Sequence, residues 1–224
     1  MSPVALTLLA SAASVVCPVR AIPADPEPIS AAIVISDDLE ELYRSAISFS
    51  DFFEEAENRR EQWTKTYREG SIAAEMVARI RALEGNWRIL AVAEDWCSDS
   101  VSTIPFLALL AEEAPNLEMR IINSEVGKGV MESHRSPDGR PATPTVLILD
   151  EDYEETGCWV ERPAELQAWA LDARPKLRDT EFLAKKTSWY EEDAGASTVR
   201  EVVEVLEGAA SGAPICRGTS STPS

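Results

Sequence analysis

The sequence predicts an α/β fold, a mixed sheet flanked by helices, with helical extensions at both ends. Three observations carry that prediction. The apolar run from Arg88 to Ala93 has the length and composition of a buried strand. A helix-length segment and a second strand follow it, the order that a right-handed parallel crossover needs. A β-branched run at Thr145 to Leu149 then folds back on its successor as a hairpin, which adds an antiparallel edge.

The elements follow in order. Leu39 to Ile47 reads as a helix. A second helix starts near Ser50 or Asp51, both good N-caps, and runs to about Arg68. Phe52, Phe53, Ala56, Trp63 and Tyr67 line one broad face of it. A third helix covers Ile72 to Leu83, with Ala73, Met76, Val77 and Ile80 at helical spacing, and Gly85 ends it. Past the first strand, Asp99 to Ala114 is a helix interrupted by Pro105 and stopped by Pro115. Leu117 to Ile122 alternates as a strand, and Glu125 to His134 is weakly helical. Pro137-Asp138-Gly139 is a turn. Asp150-Glu151-Asp152 joins the strand at Thr145 to its hairpin partner, Tyr153 to Val160. Pro163 sits at a first helical position before Ala164 to Ala173. The last helices are Thr180 to Tyr190 and Thr198 to Leu206. In the latter, Val199, Val202, Val203 and Leu206 share one face.

Both ends read differently from the middle. Residues 1–34 are either a disordered extension or a secretory signal peptide. They are apolar and small-residue rich from Pro3 to Val16, yet no Lys or Arg precedes Arg20. Residues 208–224 are rich in Gly, Ser, Thr and Pro and are expected to be a disordered tail.

Composition removes several function classes. The formal charge of -18 leaves no basic stripe to neutralise phosphates, which excludes a nucleic-acid partner and an anionic membrane surface. No membrane span is expected. Cys17, Cys97, Cys158 and Cys216 are far apart and show no Cys/His ligand spacing, so neither a metal site nor a disulfide scaffold is expected. His134, the single histidine, reads as a solvated loop residue. Asp150, Asp152 and Glu154 lack the glycine and terminal glutamate of a calcium loop and read as a solvated turn. Trp63, Trp87, Trp159, Trp169 and Trp189 read as packing residues.

Cys97 carries the chemistry. It ends the strand as Trp96-Cys97 and stands at the first turn of the next helix, where proteins place reactive thiols. Pro105 lies eight residues on, and Ala142-Thr143-Pro144-Thr145 precedes the hairpin. On these residues the chain resembles the thioredoxin family. Glu94-Asp95-Trp96-Cys97-x-Asp99 is similar to a bacterial branch of it with a single-cysteine motif, which tends to carry a helical N-terminal arm and a Trp-Tyr helix, here Trp189-Tyr190. The resemblance implies a thioredoxin-like domain over 35–207, with its core at about 87–173. It implies catalytic roles for Cys97, Ser100 and Pro144, the last as a cis-proline facing the cysteine. It implies substrate-binding roles for Trp96, Ser98, Asp99 and Thr143. It implies no cofactor. Three departures bear on activity: Ser100 stands where the resolving cysteine is expected, Ala91 where a buried acid is expected, and Ser98-Asp99 replaces Gly-Pro.

The implied chemistry is thiol–disulfide exchange with protein or low-molecular-weight thiol and disulfide partners. Ser100 cannot resolve a mixed disulfide, because its alkoxide is far too basic. Cys158 is either a remote resolving thiol or a buried apolar residue, and Cys216 sits in the tail. The helix N-terminus lowers the Cys97 thiol, while Glu94, Asp95 and Asp99 raise it by a comparable amount, each on the order of 1 kcal/mol. The rival reading is a redox-inactive module that binds partners through the same fold. The expected location is cytoplasmic, or secreted or periplasmic if residues 1–21 are a signal peptide.

Overall fold

The computed structural model describes residues 36–219. The expectations for 1–34, and for the last residues of the tail, lie outside the described residues, as does Cys17.

Strands and helices follow the apolar patterning of the chain. The order is α1 (Ser36–Ser45), β1 (Ile47–Ser48), α2 (Phe49–Glu55), α3 (Arg60–Glu69), α4 (Ala74–Arg81), β2 (Trp87–Val92), α5 (Ser98–Glu113) and β3 (Leu117–Ile122). Then come α6 (Lys128–Ser133), β4 (Thr145–Leu149), β5 (Glu155–Val160), α7 (Ala164–Ala173), α8 (Asp179–Asp193), α9 (Ala196–Ala210) and β6 (Ile215–Arg217). One six-stranded sheet has the order β1-β3-β2-β4-β5-β6. β2 and β3 are parallel, from Trp87 opposite Leu117 to Val92 opposite Ile122. β4 runs antiparallel to β2, and β5 antiparallel to β4.

Alternate residues of each strand feed opposite layers. Ile89, Ala91, Ile121, Val146, Ile148 and Trp159 face a core built with α3, α4, α5 and α9. Leu90, Val92, Ile122, Leu147, Leu149 and Cys158 face the other, built with α1 and α6. Both faces of the central strands are therefore covered, which is why β2 and β4 read as continuous apolar runs. Val199, Val202, Val203 and Leu206 all enter the first core, on the face that their spacing defines.

Several expectations are corrected. Ile47 does not close the first helix. With Ser48 it makes the edge strand β1, antiparallel to β3. The helix expected from Ser50 to Arg68 is two helices, α2 and α3, broken at residues 56–59, where Arg59 has φ 49°. Asp95 causes the break, because its carboxylate accepts the amide N–H groups of Glu57 and Asn58 at 2.9 and 2.8 Å. A continuous helix would use those amides itself.

The segment from 208 is not disordered through its described part. α9 continues to Ala210, and β6 pairs in parallel with β5, so β5 is an inner strand and β6 the edge. Cys158 and Cys216 lie opposite each other in that pairing and form a disulfide. Cys158 is fully buried, as an apolar residue would be, but it is not a free thiol. His134 is not solvated. Its ring is mostly covered, with Nδ1 2.9 Å from the Val130 carbonyl and Nε2 2.8 Å from Glu155.

Candidate functional site

β2 delivers a short loop, Ala93 to Trp96, to the start of α5, and every residue in it is anchored. The Glu94 carboxylate accepts the Ser124 amide at 2.7 Å. Asp95 also accepts Nδ2 of Asn58 at 2.9 Å, and its carbonyl accepts the buried Trp63 indole N–H at 2.9 Å. Arg59 donates Nε to the Trp96 carbonyl at 2.7 Å. The loop is thus held from the α2–α3 side, and the Trp96 side chain is left exposed beside the cysteine.

Cys97 is the N-cap of α5, with extended backbone angles. Its sulfur lies 3.3 Å from the Thr143 carbonyl, to which the thiol donates. The Thr143–Pro144 peptide bond is cis. Cys97, Ser100, Thr143 and Pro144 therefore converge from two chain segments. Cys97 is 7% exposed and is the free cysteine among the described residues. Burial pushes its thiol up, and the charge of Asp99 adds to that. Donation to the sulfur from the Thr143 side chain and from the Ser100 amide and hydroxyl pulls the other way without offsetting it. Of the three acidic neighbours expected to oppose the thiolate, Asp99 is the one whose charge does so. Glu94 and Asp95 are turned to other partners.

Asp99, expected to bind substrate, makes its contacts inside the protein. It is 6% exposed and points into α8. Lys186 Nζ lies 2.7 Å from Oδ2 and also donates to Ser98 Oγ at 2.8 Å. The Tyr190 hydroxyl donates to Oδ1 at 2.8 Å, and Arg162 lies 3.4 Å away. Arg162 also pairs with the buried Glu161, which takes Arg140 at 3.1 Å. Two buried anions thus face two buried cations beside the thiol. Burial pushes the Asp99 carboxyl up, but Lys186 and Arg162 more than reverse this and hold it at about 2. Burial and the Asp99 anion push the Tyr190 phenol well above its ordinary value.

The sequence reading missed Arg162, Glu161, Lys186 and Arg59. One signal was present: Phe182, Lys186 and Tyr190 recur at four-residue spacing and are the buried residues of α8. A lysine inside an apolar helical stripe needs a buried anion.

A cysteine capping the helix after a central strand, set against a cis-proline turn in a sheet of this order, defines a thioredoxin-like protein. A family model described as Thioredoxin matches residues 46–179, more than half of the chain, and the chain belongs to the thioredoxin family. Its fold is similar to that of a protein of unknown function from Pseudomonas aeruginosa, at 21% identity and a TM-score of 0.61. That match covers 76% of this chain and 97% of the other. It is also similar to an HIV epitope-scaffold, at 20% identity and a TM-score of 0.58, over 75% of this chain and 97% of the other. No curated protein matches the sequence. Among the described residues, no helix is long and apolar enough to cross a membrane.

Proposed function

We propose that the protein performs thiol–disulfide exchange through Cys97 as its single nucleophile. The carrying observation is the placement of the free Cys97 sulfur, at a helix N-terminus and 3.3 Å from the carbonyl of the cis Thr143–Pro144 bond. The Cys97 thiolate attacks one sulfur of a substrate disulfide. One Cys97–sulfur bond forms, the substrate S–S bond breaks, and the other half leaves as a thiolate. Ser100 supplies hydrogen bonds and no second exchange. Cys158 is tied to Cys216, so among the described residues no second thiol is free, and an outside thiol releases the product. Thr143 and Pro144 shape the groove, and Trp96 offers an exposed apolar face to a protein or small disulfide partner.

The raised thiol has a kinetic consequence. Burial raises the Cys97 thiol, so its alkylation is expected to quicken as pH is raised above neutral. The test incubates the folded protein with an excess of a small aromatic disulfide near pH 8.5 and reads intact mass, with Cys97→Ser as control. A mixed disulfide on Cys97 that an added thiol reverses supports exchange. No adduct in the folded state sinks it. The burial of Cys97 under the Asp99 cluster favours a second reading, a partner-binding module without turnover. Partner capture that survives Cys97→Ser, with no adduct, would establish that one.

On location, the Cys158–Cys216 disulfide supports the secreted or periplasmic alternative, because such bonds persist in oxidising compartments. In the cytoplasm the same pair is held as two thiols.

A further inference from the structure

The disulfide has a neighbour that a purely structural crosslink does not need. Cys158 Sγ, Cys216 Sγ and a ring nitrogen of His134 all lie within 4.8 Å of one another. They come from three elements: β5, β6 and the C-cap of α6. Both ring nitrogens of His134 face acceptors. A carbonyl can only accept, so Nδ1 carries a proton and donates it to Val130 at 2.9 Å. Nε2 faces a Glu155 carboxylate oxygen 2.8 Å away, so it too carries a proton, which a metal must displace. Fixing one ring nitrogen on a backbone carbonyl is how metal-ligating histidines are commonly held.

We infer that Cys158, Cys216 and His134 form a zinc site when the disulfide is reduced. Two thiolates and an imidazole are a donor set that suits Zn²⁺, with a fourth position left for water. Tetrahedral zinc with bonds of about 2.3 Å to sulfur and about 2.0 Å to nitrogen sets its ligand atoms roughly 3.5–3.8 Å apart. Opening the S–S bond lets the two sulfurs separate to that spacing without moving the strands out of register. Cys216 is exposed on the edge strand, which gives a reductant its route in, while Cys158 and most of the His134 ring are covered.

The chemistry balances. Two equivalents of an outside thiol reduce the bond, giving one disulfide of that thiol and two cysteine thiols. Zn²⁺ then displaces three protons, two from the thiols and one from Nε2. Disulfide and zinc are thus alternative clips for the same strand pair, chosen by the redox state of the surroundings. The site uses none of the residues around Cys97.

The test uses the full chain carrying Cys17→Ser and Cys97→Ser, so that Cys158 and Cys216 are the remaining cysteines. The protein is reduced with a phosphine, freed of it without oxygen, and titrated with Co²⁺, then Zn²⁺. The expected result is one Co²⁺ per chain, with thiolate-to-cobalt absorption and the strong visible bands of a tetrahedral site, displaced by Zn²⁺. The unreduced protein shows neither band. His134→Gln and the exposed Cys216→Ser each weaken binding at least tenfold. Circular dichroism of both variants confirms that they fold. A reduced, folded protein that gives no thiolate–cobalt absorption overturns the proposal, as does His134→Gln binding as tightly as the parent.

Discussion

Asp99 couples the start of α5 to α8, and its surroundings fix what substitution does. Asp99→Asn leaves Lys186 and Arg162 in the interior without their shared anion. Breaking a buried pair from one side costs about 3–5 kcal/mol, so a loss of that order in urea unfolding is expected. The same change should move Cys97 alkylation to lower pH, since the anion raising the thiol is gone and both cations stay. A profile that does not move would show that Asp99 does not act on the sulfur. The acid response follows from the depressed Asp99 carboxyl. Its stabilisation is complete above the unfolded carboxylate value of about 3.9 and is lost as pH falls toward about 2. The stability gap between wild type and Asp99→Asn should therefore shrink across that window. A gap unchanged down to pH 2 would count against the ion pairs.

At the scale of elements, two joints hold the additions to the core. The first is the α2–α3 break, docked on Asp95 through Glu57 and Asn58. Asp95→Ala removes a charged acceptor from two amides, and hydrogen bonds to charged groups contribute about 1.5–3 kcal/mol where covered. Because Asp95 is only partly buried, the expected loss is about 1–2 kcal/mol, with new proteolytic cleavage at residues 56–59 as the local readout. The second joint is Gly195, between α8 and α9, with φ 79°. An added Cβ would lie 2.3 Å from the Phe106 ring. Gly195→Ala combines left-handed strain with overpacking and should cost about 3 kcal/mol in thermal or urea unfolding. Neither the α2–α3 break nor the close approach at Gly195 could be read from its local pattern. Glu57-Asn58-Arg59 contains no helix breaker, and nothing near Gly195 in sequence names Phe106 as its neighbour.

Across the whole molecule, the disulfide ties the last strand to the hairpin and closes a loop with a sequence separation of 58. Loop-closure entropy for that span is worth roughly 4 kcal/mol as an upper figure. Cys216→Ser, compared with the oxidised protein in the presence of a chelator, should lose a substantial part of it. An unchanged melting temperature would show that β6 contributes little to the fold. The chain that carries this clip has a formal charge of -18, so its interior cations are few and each is matched by a buried acid.

The sequence by itself determined the mixed sheet, the parallel β2–β3 pair, the hairpin and the apolar face of α9. Each of these is written in local periodicity, and burial of both sheet faces leaves one way to satisfy it. It also located Cys97 at a strand-to-helix turn, and the resemblance to the thioredoxin family pointed to Thr143 and Pro144. Tertiary structure alone decided three things. It turned Asp99 from a substrate contact into the centre of a buried ion cluster, because its partners lie on α7's leading loop and on α8, far along the chain. It broke the N-terminal helix, because a carboxylate outside that helix accepts its amides. It joined Cys158 to Cys216 beside His134, because the register of β6 on β5 is set by the packing of α9 and not by any spacing of the cysteines themselves.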